Sequence, residues 1–265
     1  MKIGVSTASL YPLHAEEAFG EIAARGIKTA ELFANSTSEA QDPVVSEIES
    51  TMQENGMNIT SFHPFSSPME SVFLFSTYDR RIEEMLDLYS GFFRTMNRLG
   101  AKMFVLHGAI LSSKCSSEHY LKQFRLLSEI GREHGITVAQ ENVSYCLSGD
   151  LDFLKMMKQE LGDHARFVLD LKQTRRSHAD VFDYVRELGE NIVHLHISDG
   201  DGEKDCLPVG HGSFDFRRLM QEMSGVGYDG AYIVELYREN YDTFDRLRES
   251  VDRLTDIACG LGLMS

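Results

Sequence analysis

Seven short apolar runs of this sequence end in a titratable side chain: Glu31 in TAELF, His63 in ITSFHP, His107 in MFVLHG, Glu141 in VAQENV, Asp170 in FVLDL, His196 in VHLHISD and Glu235 in YIVELY. One such residue would mean little, because a strand-end Glu commonly pairs with a nearby Arg and a lone His is commonly a satisfied core residue. Seven at equivalent positions argue for a shared site. Carboxylates and imidazoles exchange protons near neutral pH and ligate divalent ions. Four carboxylates (Glu31, Glu141, Asp170 and Glu235) in one partly desolvated space would repel one another unless a cation intervened. A divalent metal meets that need. An oxygen-rich set with an imidazole and no thiolate suits Mn²⁺, the leading expectation, or Mg²⁺, Co²⁺ or Zn²⁺, rather than a soft ion.

These residues need elements that bring them together. Val-, Ile- and Phe-rich runs alternate with stretches of helical period from end to end, the pattern of an α/β fold. The expected strands are Lys2–Thr7, Thr29–Phe33, Asn58–His63, Lys102–His107, Thr137–Asn142, Arg166–Leu171, Ile192–Ser198 and Ala231–Leu236. The expected helices are Ala15–Arg25, Val44–Asn55, Tyr78–Leu99, Glu118–His134, Leu151–Leu161, Asp180–Leu188, Phe214–Ser224 and Tyr241–Leu261. Asp150 reads as an N-cap, and Gly26, Gly100, Gly135 and Gly189 fall just past helix ends. From Ile3 to Ile233 the strands recur about every 33 residues, the repeat of a (β/α)8 barrel. A doubly wound sheet would want a Gly-rich turn after the first strand, which instead reads Ser6-Thr7-Ala8-Ser9-Leu10. No linker or low-complexity tract divides the chain, so residues 1–265 read as one (β/α)8 barrel domain.

Strand parity points the same way, since side chains alternate between the barrel interior and the helix layer. Val193, Leu195 and Ile197 form one face of the seventh strand and should meet the helices, leaving His194, His196 and Ser198 inward. By the same alternation Glu235 with Ile233, and Asp170 with Val168, face the interior. Active sites of such barrels lie at the C-terminal ends of the strands, where these polar residues converge.

Composition narrows the partners. With 41 acids against 26 basic residues the formal charge is 26 − 41 = −15, and there is no basic run to hold a nucleic-acid backbone or an anionic membrane. No stretch approaches the ~20 apolar residues of a membrane span. The opening MKIGVSTASLYPLH is too broken for a signal peptide, and four scattered cysteines without a CxxC fit reduced thiols, so a cytoplasmic protein is expected. GxSxG is absent and no cysteine sits in a Cys-His context, which removes the common serine and cysteine hydrolases.

The segments KIGVS, AELF, ENV, VLD, HLHISDG, LPVGHGSFDF and IVEL, in this order and spacing, resemble the xylose-isomerase-like TIM-barrel superfamily of sugar-phosphate isomerases and epimerases. That superfamily includes D-tagatose 3-epimerase, hydroxypyruvate isomerase, inosose dehydratase and, more distantly, endonuclease IV. The resemblance spans essentially the whole chain. It implies one divalent metal held by Glu141, Asp170, His196 and Glu235, with Glu141 and Glu235 also exchanging a proton with opposite faces of a bound sugar. Departures are present: many members have His three positions after the sixth-strand Asp, where this chain has Gln173. Three-metal members have Asp-x-His before the next Leu-Pro, where this chain has Asp205-Cys206, and His211 stands where relatives commonly have Glu. A trinuclear nuclease site is therefore incomplete.

The expected activity is isomerisation or epimerisation of a sugar, sugar phosphate or polyol through an enediolate. The alternatives are an inosose-dehydratase-like lyase and a non-catalytic barrel that binds a metal or sugar acid. His63, His107, Gln173, Arg175, Lys204 and Arg238 are the expected substrate contacts. His63 and His107 would meet sugar hydroxyls, with a supporting or second-metal role as the alternative. Arg175, in the basic stretch Lys172–His178, would meet an anionic group or else pair with nearby acids. The aromatic segment Phe62–Tyr78 would either cover the mouth or simply pack. Small solutes are the expected partners, with no nucleic acid or membrane, and a homo-oligomer stays open.

Overall fold

Parallel strands need long crossover connections, and amphipathic helices supply them here while covering the outer face of the sheet. The computed structural model describes residues 1–264 and closes eight parallel strands, each beside its chain neighbour, into a barrel. The strands are β1 Lys2–Ser6, β2 Thr29–Ala34, β3 Asn58–Pro64, β4 Met103–Leu106, β5 Thr137–Glu141, β6 Phe167–Asp170, β7 Ile192–Ile197 and β8 Ala231–Val234. β8 returns to β1 in a register that pairs Lys2 with Ala231 and Val5 with Val234. β1 and β2 approach so closely that a Cβ on Gly4 would run into the carbonyl of Thr29.

The helices are α1 Ala15–Ala24, α2 Val44–Asn55, α3 Ser67–Glu70, α4 Asp79–Leu99, α5 Ser117–Glu133, α6 Leu151–Leu161, α7 Leu171–Arg176, α8 Val181–Leu188, α9 Phe216–Gly225 and α10 Asp245–Gly260. All eight expected helices form, and α6 is capped as anticipated by Asp150, whose carboxylate accepts from Asp152 N. α9 starts two residues late because Asp215 caps it through Arg218 N, and α10 begins at Asp245 rather than Tyr241. Two helices were not expected. α3 lies in the long connection after β3, and α7 occupies the basic stretch after β6. Most of the aromatic residues of the Phe62–Tyr78 segment pack on the core: Phe62 in β3 and Phe75 are buried, Phe65 and Phe73 are partly buried against them, Phe75 stacks on Tyr120, and Tyr78 is exposed.

Between sheet and helices lies a continuous apolar core that includes Phe104, Phe124, Phe167, Leu195, Ile197, Tyr232 and Val234. Inside the barrel a separate small cluster, Val105, Ala139 and Val168 with Met103 and Val193, fills the lower layer. Val193 corrects the parity reading. The β6–β7 register passes from Phe167 opposite Ile192 to Val168 opposite His194, skipping Val193, so a bulge turns that side chain onto the interior cluster. Beyond the bulge the alternation holds. Among the described residues no helix is long and apolar enough to cross a membrane, and all four cysteines are unpaired.

Candidate metal centre and its cavity

Two residues above the apolar layer, the same strands turn charged: Val105 gives way to His107, Ala139 to Glu141 and Val168 to Asp170. At the centre of that upper layer stands His196. Its Nε2 donates to Glu31 Oε2 at 3.0 Å, a direction fixed because an ionised carboxylate can only accept. Glu31 is fully buried and also accepts from Ser61 Oγ at 2.8 Å and His194 Nε2 at 3.0 Å. With Nε2 engaged by Glu31, His196 presents Nδ1 to the other carboxylates. That atom lies 3.6 Å from Glu141, 3.8 Å from Asp170 and 3.6 Å from Glu235, and has no hydrogen-bond partner. Glu31 thus orients the imidazole from behind, as the outer carboxylate does in a carboxylate–histidine–metal triad.

Glu141, Asp170, His196 and Glu235 each offer an atom within 4.8 Å of all the others, and all four are buried. Glu141 Oε2 and Asp170 Oδ2 join His196 Nδ1 among the buried atoms without a hydrogen-bond partner. Buried polar atoms are rarely left this way. Three carboxylates and one imidazole nitrogen, converging in a buried space, fit a divalent ion. The cluster can hold a metal, and the donor chemistry leaves the ion's identity open among hard and borderline metals. Neighbouring side chains secure the ligands. Asn142 accepts from Asp170 N at 2.7 Å and donates to Asp170 O at 3.2 Å, locking β5 to β6, while Gln140 donates to the carbonyls of Leu106, His107 and Glu141.

The β3 and β4 side of the layer is imidazole-rich. His63 Nε2 and His107 Nε2 are 2.7 Å apart, and His107 Nε2 is 2.9 Å from Glu141 Oε2. Two further groups within ligand distance result, Glu31 with His63 and His196, and His63 with His107 and Glu141. The loop that bears His107 is clamped by Glu70 of α3, which accepts from Tyr89 Oη at 3.0 Å and from Gly108 N. Gly108 has φ 93°, and a Cβ there would strike the Tyr120 hydroxyl, so this turn requires glycine.

A cavity of about 400 Å³ opens above these residues. Of the expected substrate contacts, His63, His107, Gln173 and Arg238 line it. Arg175 and Lys204 do not. Arg175 is engaged by Asp205 at 2.9 Å, by Ser198 and by the Asp199 carbonyl, and Lys204 sits on an exposed turn capped by Asp201. His211 is exposed and lies off this cavity. Lys172 and Arg176, part of the expected basic stretch but not among the expected contacts, do line it, as does Tyr237. A signal was available: Asp170 caps α7 through the N–H groups of Lys172 and Gln173, and on the helix that follows Lys172 and Arg176 are four apart and share a face. Both cations lie against the Tyr237 ring, at 5.2 and 5.3 Å from its centroid.

Burial opposes every charge in this layer, and the neighbours decide each outcome. Desolvation pushes the Glu31 carboxyl up, yet the charge of His196 and hydrogen bonds from His194 and His196 hold it well below the usual range. Glu141 is lowered against its burial by His107 and His196, and Glu235 against its burial by Lys172 and His196. His196 is correspondingly raised despite burial, by Glu31 and Glu235. Glu70 differs: burial lifts its carboxyl to about 7, against His107 and the Gly108 N–H.

Comparison with known proteins agrees with the fold. The profile of the xylose isomerase-like TIM barrel family matches residues 19–257. A D-tagatose 3-epimerase-like protein superposes with a TM-score of 0.81 at 17% identity, covering 99% of this chain and 98% of that one. The IOLI protein, solved with a zinc atom, superposes with a TM-score of 0.76 at 17% identity, covering 98% of each. A fructoselysine 3-epimerase of Escherichia coli O157:H7 is 40% identical over 57 residues, 21% of each chain. With a family match across nearly all of its length and a closed eight-stranded barrel, the chain belongs to the xylose isomerase-like TIM barrel family.

Proposed function

We propose that the protein is a divalent-metal-dependent epimerase or isomerase of a small ketose, polyol or related sugar, and that Glu141 and Glu235 move the proton. The observation that carries this reading is the convergence of Glu141, Asp170, His196 and Glu235 at the floor of the cavity. A divalent ion held there, Mn²⁺ first among the candidates, would supply Lewis-acid polarisation of a substrate carbonyl and acidify the adjacent C–H.

The chain's own residues do the rest. His196 Nδ1 lies 3.6 Å from an oxygen of each glutamate, so the two carboxylates flank one central point from β5 and from just beyond β8. A sugar carbon between them is open to deprotonation by one carboxylate and reprotonation by the other, which inverts configuration through an enediolate. Nearby hydrogen-bond donors favour the developing oxyanion, and His107, beside Glu141, and His63 are placed to bind sugar oxygens. The buried layer excludes water that would otherwise trap the intermediate.

The test is isotope exchange. Incubated in D₂O with Mn²⁺ and a panel of ketoses, the protein should place deuterium on the epimerised carbon of at least one, and should stop after chelation. Glu141→Gln and Glu235→Gln should each abolish exchange while retaining the circular dichroism spectrum. A product lighter by one water would instead indicate elimination, and full exchange by both variants would end the proposed roles.

A further inference from the structure

Asp170 and Glu235 are already bridged by a cation that belongs to the chain. Lys172 Nζ lies 3.2 Å from Asp170 Oδ2 and 3.1 Å from Glu235 Oε2, with its side chain only 9% exposed. The placement is built into the fold. Asp170 Oδ1 accepts the N–H groups of Lys172 and Gln173, so the first turn of α7 brings the lysine back over the carboxylate that caps it. The Tyr237 ring flanks the ammonium, with its centroid 5.2 Å from Nζ.

The two oxygens that hold this ammonium are the same two that approach His196 Nδ1. A divalent ion among the four converging ligands would stand close to Lys172 while sharing its oxygens. Two cations so placed in a poorly solvated site repel by several times the thermal energy. The surroundings offer the lysine an alternative, because it also lines the cavity. On that wall Arg176 donates to Tyr237 Oη at 2.9 Å and pairs with Asp205 at 3.3 Å, and Arg238, which donates to the Tyr241 carbonyl, has no carboxylate partner among the described residues. Apart from the ligating glutamates, the cavity lining holds the three cations Lys172, Arg176 and Arg238 against the single acid Glu239, a balance complementary to an anion in a chain of net charge −15.

We propose that Lys172 is the resident counter-ion of the metal-ligating carboxylates, that it yields those oxygens when the divalent ion binds, and that it then pairs with an anionic group of the substrate. This rests on the metal-site reading above and adds to it the substrate's charge, a carboxylate or phosphate near the reacting carbons. Lys172 is a positioning and specificity residue in this scheme. Ion and anion draw on the same ammonium in the same sense, so each strengthens the binding of the other, reciprocally.

The experiment is a Mn²⁺ titration by calorimetry of the wild-type protein, Lys172→Met and Lys172→Gln, at constant ionic strength held with chloride, then repeated with acetate or sulfate added. Loss of the competing charge should tighten Mn²⁺ binding at least about tenfold in both variants. A gain of this kind cannot arise from structural damage. Acetate or sulfate should tighten Mn²⁺ binding in the wild type at least about threefold and leave both variants unchanged. A larger effect of acetate identifies a carboxylate substrate, and a larger effect of sulfate a phosphate. Equal or weaker Mn²⁺ binding by the folded variants, or no anion effect in the wild type, overturns the proposal. A wild type that binds no Mn²⁺ would remove the metal site itself, a distinct outcome.

Discussion

The barrel interior holds two layers built on the same strands and opposite in chemistry. In the lower, Val105, Ala139 and Val168 close the barrel with apolar side chains. In the upper, two residues further along, His107, Glu141 and Asp170 meet Glu31, His63, His196 and Glu235, and several buried polar atoms lack partners. The alternation of a strand places both sets inward, so geometry does not separate them. Their difference lies in what each asks of its surroundings. The apolar layer is satisfied by its own packing. The charged layer is satisfied only in part by the chain's own groups, with Lys172 bridging Asp170 and Glu235 while His196 Nδ1 stays without a partner.

The largest effect should come from converting one layer toward the other in the wrong direction. Val168→Asp sets an unpaired carboxylate among apolar neighbours, with an expected loss of about 3–5 kcal/mol in urea unfolding. A loss below about 1 kcal/mol would show the lower layer to be wet, against the contrast drawn here. Changes in the upper layer should fall on activity more than on stability. Glu141→Gln or Glu235→Gln should lower exchange by at least about 100-fold while costing less in stability, a modest fall in the metal-free melting temperature, because each removes a carboxylate that His107, His196 or Lys172 holds ionised.

Glu31→Gln comes next. It keeps the side-chain volume but weakens the acceptor behind His196, and should reduce Mn²⁺ affinity about 10- to 100-fold, read by chelator competition. Unchanged affinity would reduce Glu31 to a structural partner.

Glu70 lies beside the charged layer but outside its cluster. Its carboxyl is raised to about 7 in the folded protein from an ordinary value of 4.5. The folded state therefore holds a proton that the unfolded chain has released. This contribution is fully present below about pH 4.5 and is lost as pH rises through about 7, and it amounts to roughly 3 kcal/mol. Glu70→Gln can accept from Gly108 N and donate to Tyr89 Oη. Relative to that variant, the wild type should lose stability between pH 4.5 and 7; parallel profiles would show that Glu70 ionises normally.

Much of this arrangement was legible in the sequence, for a physical reason. Parallel strands carry strong Val, Ile and Phe runs, and a polar residue that ends such a run can only lie at the barrel rim. Glu141, Asp170, His196 and Glu235 were visible on that ground. Glu31 could be placed but given no role, because its partners Ser61, His194 and His196 come from other strands. Two adjacent arginines could not be told apart until α7 was seen: both pair with Asp205, but Arg175 turns on to Ser198 while Arg176 turns to Tyr237 and the cavity. Val193 was misplaced because a bulge shifts register without any mark in composition.

The central claim is that the charged layer exists to hold one divalent ion. Anomalous diffraction from crystals soaked in Mn²⁺ tests it directly. One strong peak is expected within about 2.3 Å of Glu141, Asp170, His196 Nδ1 and Glu235, with His196 Nε2 still bonded to Glu31. A peak at any other place, or His196 turned to offer Nε2, would contradict it.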